Sequence, residues 1–104
     1  MRRKFKNIPT VLDGIRFDSK LEARRYGELK LLQMAGEISH LECHPSLPIT
    51  INGIKICTAV ADFSYFDKGE RVFEDTKGFH TPLSKLKMKL VRASYPGIDW
   101  RIVN

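Results

Sequence analysis

Cysteine is scarce in this chain, with Cys43 and Cys57 the only two among 104 residues. So few thiols exclude a disulfide framework, and both are expected reduced, as small half-buried hydrophobes. No run approaches the ~18 apolar residues of a membrane span, and the basic start MRRKFKNIPT lacks the apolar stretch of a secretory signal. A cytoplasmic protein with no membrane partner is the expectation. The chain also has no internal repeat, no low-complexity tract and no Gly-, Ser- or Pro-rich linker, so residues 1–104 read as one domain. Acidic residues are the minority: 12 Asp and Glu stand against 18 Lys and Arg, a formal charge of +6. The sequence pI of 9.6 lies above the ~9 that marks a nucleic-acid footprint, which makes a polyanion the first partner to consider.

What is present divides into elements by period and punctuation. Residues 1–7 form a basic arm carrying Arg2, Arg3, Lys4 and Lys6, with no apolar pattern to tie it down. In TVLDGIRF the Asp13-Gly14 pair favours a type I′ turn, hence a short N-terminal hairpin. Residues 18–37 read as a helix with Ser19 at its N-cap, Glu22 completing a capping box and Gly36 at its stop; Leu21, Leu29 and Leu32 fall on its inward face. Residues 37–49 read as a strand interrupted at Pro45 and Pro48, continuing through a turn at Asn52-Gly53. CTAVADFSYFD and ERVFEDTKG make an antiparallel pair around Lys68-Gly69. Residues 81–95 read as a second helix, with Leu83, Leu86, Leu90 and Ala93 inward and Lys85, Lys89 and Arg92 outward. A final strand, IDWRIVN, follows Pro96-Gly97 and is expected parallel to a sheet strand. The fold class is α/β (α+β): a mixed central sheet flanked by helices.

Chemistry concentrates where charge interrupts apolar strands. Strand alternation sets Phe73, Asp75 and Lys77 on one face and Val72, Glu74 and Thr76 on the other, making Glu74 a bystander. Asp62 follows Ala59-Val60-Ala61, and the hairpin carries it toward Asp75. Two facing carboxylates repel unless a cation bridges them or one keeps its proton, and Mg²⁺ takes one or two carboxylates with phosphate and waters. Lys77, on that face, could orient an attacking water. The alternative for this trio is a surface salt bridge of ~0 to 1 kcal/mol. Glu22 is explained equally by capping, although the helical wheel turns both it and Arg25 toward the sheet. His40, Cys43, His44 and Cys57 match no strong zinc spacing, so no zinc is expected. His80 could touch phosphate or simply face solvent, and the Phe63, Tyr65, Phe73 and Trp100 aromatics read as core.

Together FDSKLEARRY, VADFSYFD and FEDTKG, followed by a Lys-rich helix and a last strand, resemble the PD-(D/E)XK nuclease superfamily, and within it a family of small phage-encoded proteins. The resemblance implies a restriction endonuclease-like αβββαβ core and Mg²⁺-dependent hydrolysis of DNA, with Mn²⁺ as a substitute. Asp62 and Asp75 would hold the metal, with the Thr76 carbonyl a further ligand. Glu22 would complete the site and Lys77 would position the nucleophile. Arg2, Arg3, Lys4, Lys6, Arg25, His80, Lys85, Lys87 and Lys89 would meet DNA. Ala61 stands where the motif name has Pro, and His44 where many relatives have Gln. The implied enzyme is a homodimeric, Holliday junction resolvase-like endonuclease for branched DNA in phage recombination or replication, in the cytoplasm of a phage-infected or prophage-carrying bacterium. A flap, single-strand or replication-associated nuclease of the same fold, or a non-catalytic DNA-binding module, is the alternative.

Overall fold

The structure, a computed structural model, describes residues 9–76 and 81–103. Arg2, Arg3, Lys4, Lys6, Lys77 and His80 lie outside the described residues. Three tight turns organise the β structure. Asp13-Gly14, Asn52-Gly53 and Lys68-Gly69 all take positive φ at both positions (52° and 74°, 51° and 78°, 52° and 84°), the condition for type I′ hairpins. They join β1 (Thr10–Leu12) to β2 (Ile15–Phe17), β4 (Ser46–Ile51) to β5 (Ile54–Val60), and β6 (Phe63–Asp67) to β7 (Glu70–Asp75). Helix α1 (Lys20–Met34) follows the first hairpin and precedes β3 (Ser39–Cys43); α2 (Pro82–Ser94) precedes β8 (Asp99–Ile102).

The main sheet has the order β3-β6-β7-β8. Its first three strands are antiparallel and β8 lies parallel to β7, a pairing that needs a crossover connection such as α2 supplies. Without the β4–β5 arm, the order is helix, three strands, helix, strand. The expected single strand through residues 57–67 is in fact two. Residues 57–60 pair with β4 in the arm, and the chain bends at Ala61-Asp62 before entering the main sheet. The opposite strand bends at the same level, where His44 adopts φ 54°, so β3–β4 and β5–β6 form one ribbon with a corner. Left-handed backbone is uncommon outside glycine, and here it re-aims the strand rather than closing a turn.

Two apolar clusters sandwich the main sheet. Phe17, Ala23, Tyr26, Leu29, Ile38, Phe63, Tyr65 and Val72 fill the α1 side. Leu47, Ile49, Ala59, Ala61, Phe73 and Val91 fill the α2 side, where Phe73 and Trp100 stack with centroids 6.0 Å apart. Both helices are rotated from the sequence expectation. On α1 the buried set is Glu22, Ala23, Tyr26 and Leu29, while Leu32 lies off that face and is exposed. On α2 the buried residues are Met88 and Val91, and Leu83, Leu86 and Ala93 face solvent. A helical wheel ranks faces by apolar content. The sheet selects instead the face whose shape fits Phe73 and the arm, and the leucines are left outside.

Candidate functional site

The site lies at the ribbon corner, where main-chain bonds leave little freedom. His44 N–H donates to the Asp62 carbonyl (2.9 Å), and Asp62 N–H donates to the Glu74 carbonyl (3.0 Å). The pairing Phe63↔Glu74, continued by one residue, sets Asp62 across from Asp75. Both line a cleft of about 400 Å³ together with Asp18, His44, Lys87 and Trp100. The side-chain alternation predicted for β7 therefore holds, with Val72 in the α1 cluster and Phe73 in the α2 cluster.

Asp62 is oriented from below. Its Oδ2 accepts from the Thr76 backbone N–H (2.7 Å) and hydroxyl (2.8 Å). Thr76, expected to offer its carbonyl to a metal, thus serves in this structure as the donor that fixes Asp62. Next to Asp62 stands Glu22, only 1% exposed, on the first turn of α1. Ser19 caps that turn by accepting from Glu22 N–H (3.1 Å). The Glu22 carboxylate meets His44 Nε2 at 2.9 Å. Burial pushes the Glu22 carboxyl up to about 7; the His44 ring opposes the shift and the neighbouring Asp62 carboxylate adds to it. A glutamate held near neutrality beside a second carboxylate is a proton acceptor or a cation ligand in waiting.

Glu74 is no bystander. It turns away from the cleft but is 0% exposed, and Arg25 grips it with two bonds, Nε to Oε1 at 2.8 Å and Nη2 to Oε2 at 2.7 Å. The Tyr65 hydroxyl also donates to Glu74. Arg25, expected at the DNA surface, is committed to this pair and to Glu28 (3.1 Å). The Glu74 carboxylate holds its guanidinium above the ordinary value, while burial, with Glu74 adding, pushes the Tyr65 hydroxyl up to about 12. The arrangement bolts α1 to β7.

Of the α2 lysines, Lys87 lines the cleft, whereas Lys85 and Lys89 are exposed on the other flank of the helix. Asp18, just before the α1 cap, also reaches the cleft. Nothing in its local sequence sets it apart from an ordinary residue before a cap. Cys43 and Cys57 are free thiols. Among the described residues no three His, Cys, Asp or Glu side chains gather into a metal-binding group, and no helix is long and apolar enough to cross a membrane.

Fold and site together define an α+β domain with an acidic cleft where a bent ribbon leaves its main sheet. The chain belongs to the family described as "Protein of unknown function (DUF1064)", whose model matches residues 2–104. No curated protein and no solved structure matches it.

Proposed function

We propose that the cleft is the active site of a Mg²⁺-dependent deoxyribonuclease of the PD-(D/E)XK type. The observation that carries this reading is the meeting of Asp62 and Asp75 in one cleft, with Glu22 beside Asp62 and the Lys87 cation on the facing wall. The succession helix, three strands, helix, strand in the main layer supports it. Carboxylates at that place would repel a phosphate backbone, so a protein that only bound DNA would gain affinity by losing them. Carboxylate oxygens at an open cleft suit Mg²⁺, which needs one or two such ligands and completes its shell with water and phosphate. Asp62 and Asp75 would hold the ion, and Glu22 would help directly or through water. The chemistry the ion supplies when bound is charge neutralisation on the phosphoryl group and an acidified water.

The chain's own residues do the remainder. Thr76 keeps Asp62 in one orientation, Glu22 accepts a proton near neutral pH, and Lys87 meets the phosphate backbone. Lys77, the next residue in sequence after Thr76, would have the role of orienting the attacking water. Structure selectivity, read through backbone contacts, is the specificity this reading assigns to the domain. The substrate is branched DNA of the Holliday junction kind, cut by a homodimer in the cytoplasm of a phage-infected bacterium. Labelled four-way junction, flap, single-strand and linear duplex DNA, incubated with Mg²⁺ or chelator, test this. Junction cutting that needs Mg²⁺ and disappears in Asp75→Ala, with the melting temperature retained, is expected. Undiminished cutting by that variant, or a gel shift with no cutting by the wild type, overturns it.

A further inference from the structure

Helix α2 has two faces of different character, and the one seated on the sheet is not the leucine face. Met88 and Val91 are buried against the α2-side cluster, with Ser84 and Tyr95 flanking them. Leu83 is 64% exposed and Leu86 53%; Ala93 is exposed and Leu90 partly buried. At about 100° per residue these four fall on a stripe roughly opposite Met88 and Val91. Their spacing of three, four and three residues is that of a coiled-coil a/d seam. Lys85, Lys89 and Arg92 line one border of the stripe and Lys87 the other, and Pro82–Ser94 contains no acidic residue.

The helix is also tied at both ends. Thr81 and Ser84 close a full capping box at its start, and the Tyr95 hydroxyl after its end donates to the Pro48 carbonyl at 2.5 Å. A preformed helix pays little ordering cost when a partner docks. We propose that this stripe is a docking face for an acidic amphipathic helix of another protein. The partner's apolar side chains would cover Leu83, Leu86 and Ala93, and its carboxylates would pair with Lys85, Lys89 and Arg92.

Charge decides among the occupants. A second copy of α2 would bring cation against cation with no acid on either side. DNA would satisfy the lysines and leave the leucines in water. A membrane would gain few apolar side chains from a helix whose other face is fixed to its own domain.

The probe is a labelled synthetic helical peptide of about three heptads with Leu at a and d and Glu at e and g, titrated with the full chain and followed by anisotropy. Saturable binding that weakens tenfold or more in Leu86→Ser and in Lys85→Glu/Lys89→Glu, and that falls with added salt, is expected. A matching peptide with Lys at e and g should not bind. Leu86→Ser is a surface change, so an unaltered melting temperature shows the variant folded. Absence of peptide binding, or binding indifferent to Leu86→Ser, overturns the proposal. So does a Leu86→Ser variant that keeps peptide affinity but loses self-association in sedimentation, retention on phosphatidylserine vesicles, or binding to duplex DNA.

Discussion

Glu74 and Glu22 are both fully buried glutamates, yet their surroundings are opposite. Glu74 has a guanidinium in bidentate contact and a phenol on the same oxygen as one of its arms, so its charge is matched where it sits. Glu22 has an imidazole on one side and the Asp62 carboxylate on the other, and burial, with Asp62 adding, raises its proton affinity against the pull of the imidazole. The first arrangement is what a protein builds to hold itself together. The second keeps a buried carboxyl near the threshold of ionisation behind the cleft-lining Asp62 and His44, an expense that only a ligand or a proton offsets.

The sharpest way to break this contrast is to remove the cation from the matched pair. Arg25→Ala strands the Glu74 charge and is expected to cost about 3–5 kcal/mol in urea unfolding, whereas Arg25→Met/Glu74→Leu recovers most of it. A loss below about 1 kcal/mol for Arg25→Ala would show that water reaches Glu74. Glu22 should respond the other way. Its folded carboxyl titrates at about 7 against an ordinary value of 4.5, so the stability it confers is complete below about 4.5 and is lost as pH rises through 7. Wild-type stability should therefore fall between pH 5 and pH 8, and Glu22→Gln should flatten that fall by about 3 kcal/mol. Unfolding curves at the two pH values decide it, and parallel slopes would remove Glu22 from the comparison.

Smaller changes sharpen the picture. Tyr65→Phe deletes one donor to a buried charge and should cost about 2 kcal/mol by the same measurement, with no change in DNA cutting. Thr76→Val removes one of two bonds to Asp62 and should cost about 1 kcal/mol of stability while lowering cutting by a larger factor. Equal losses in the two readouts would make Thr76 purely structural.

Local chemistry was legible in the sequence and distant pairing was not. The three type I′ turns follow from Asp-Gly, Asn-Gly and Lys-Gly at positions where φ must be positive, and Ser19 declares the start of α1. Alternation along β7 correctly separated Asp75 from Glu74, but it gives a face and not a burial. Only the fold brings Arg25 across 49 residues to Glu74. The orientation of α2 was hidden for a related reason. Its leucines form the more apolar stripe, yet the face with Met88 and Val91 is the one the sheet accepts. The corner at His44 and Asp62 leaves no mark in the sequence beyond Pro45, which alone signals only an interruption, because a bend in a ribbon depends on both strands at once.

That corner acts as a register lock. Ser46↔Val60 on one side of it and Cys43↔Phe63 on the other tie the arm and the main sheet to a single strand count. Insertions at the Asn52-Gly53 tip lengthen the arm and leave everything below unmoved, which makes the tip a port for grafted peptides. One residue added between Ala59 and Asp62 would instead turn every side chain from Asp62 to Asp67 to the opposite face, exchanging cleft for core in a single step.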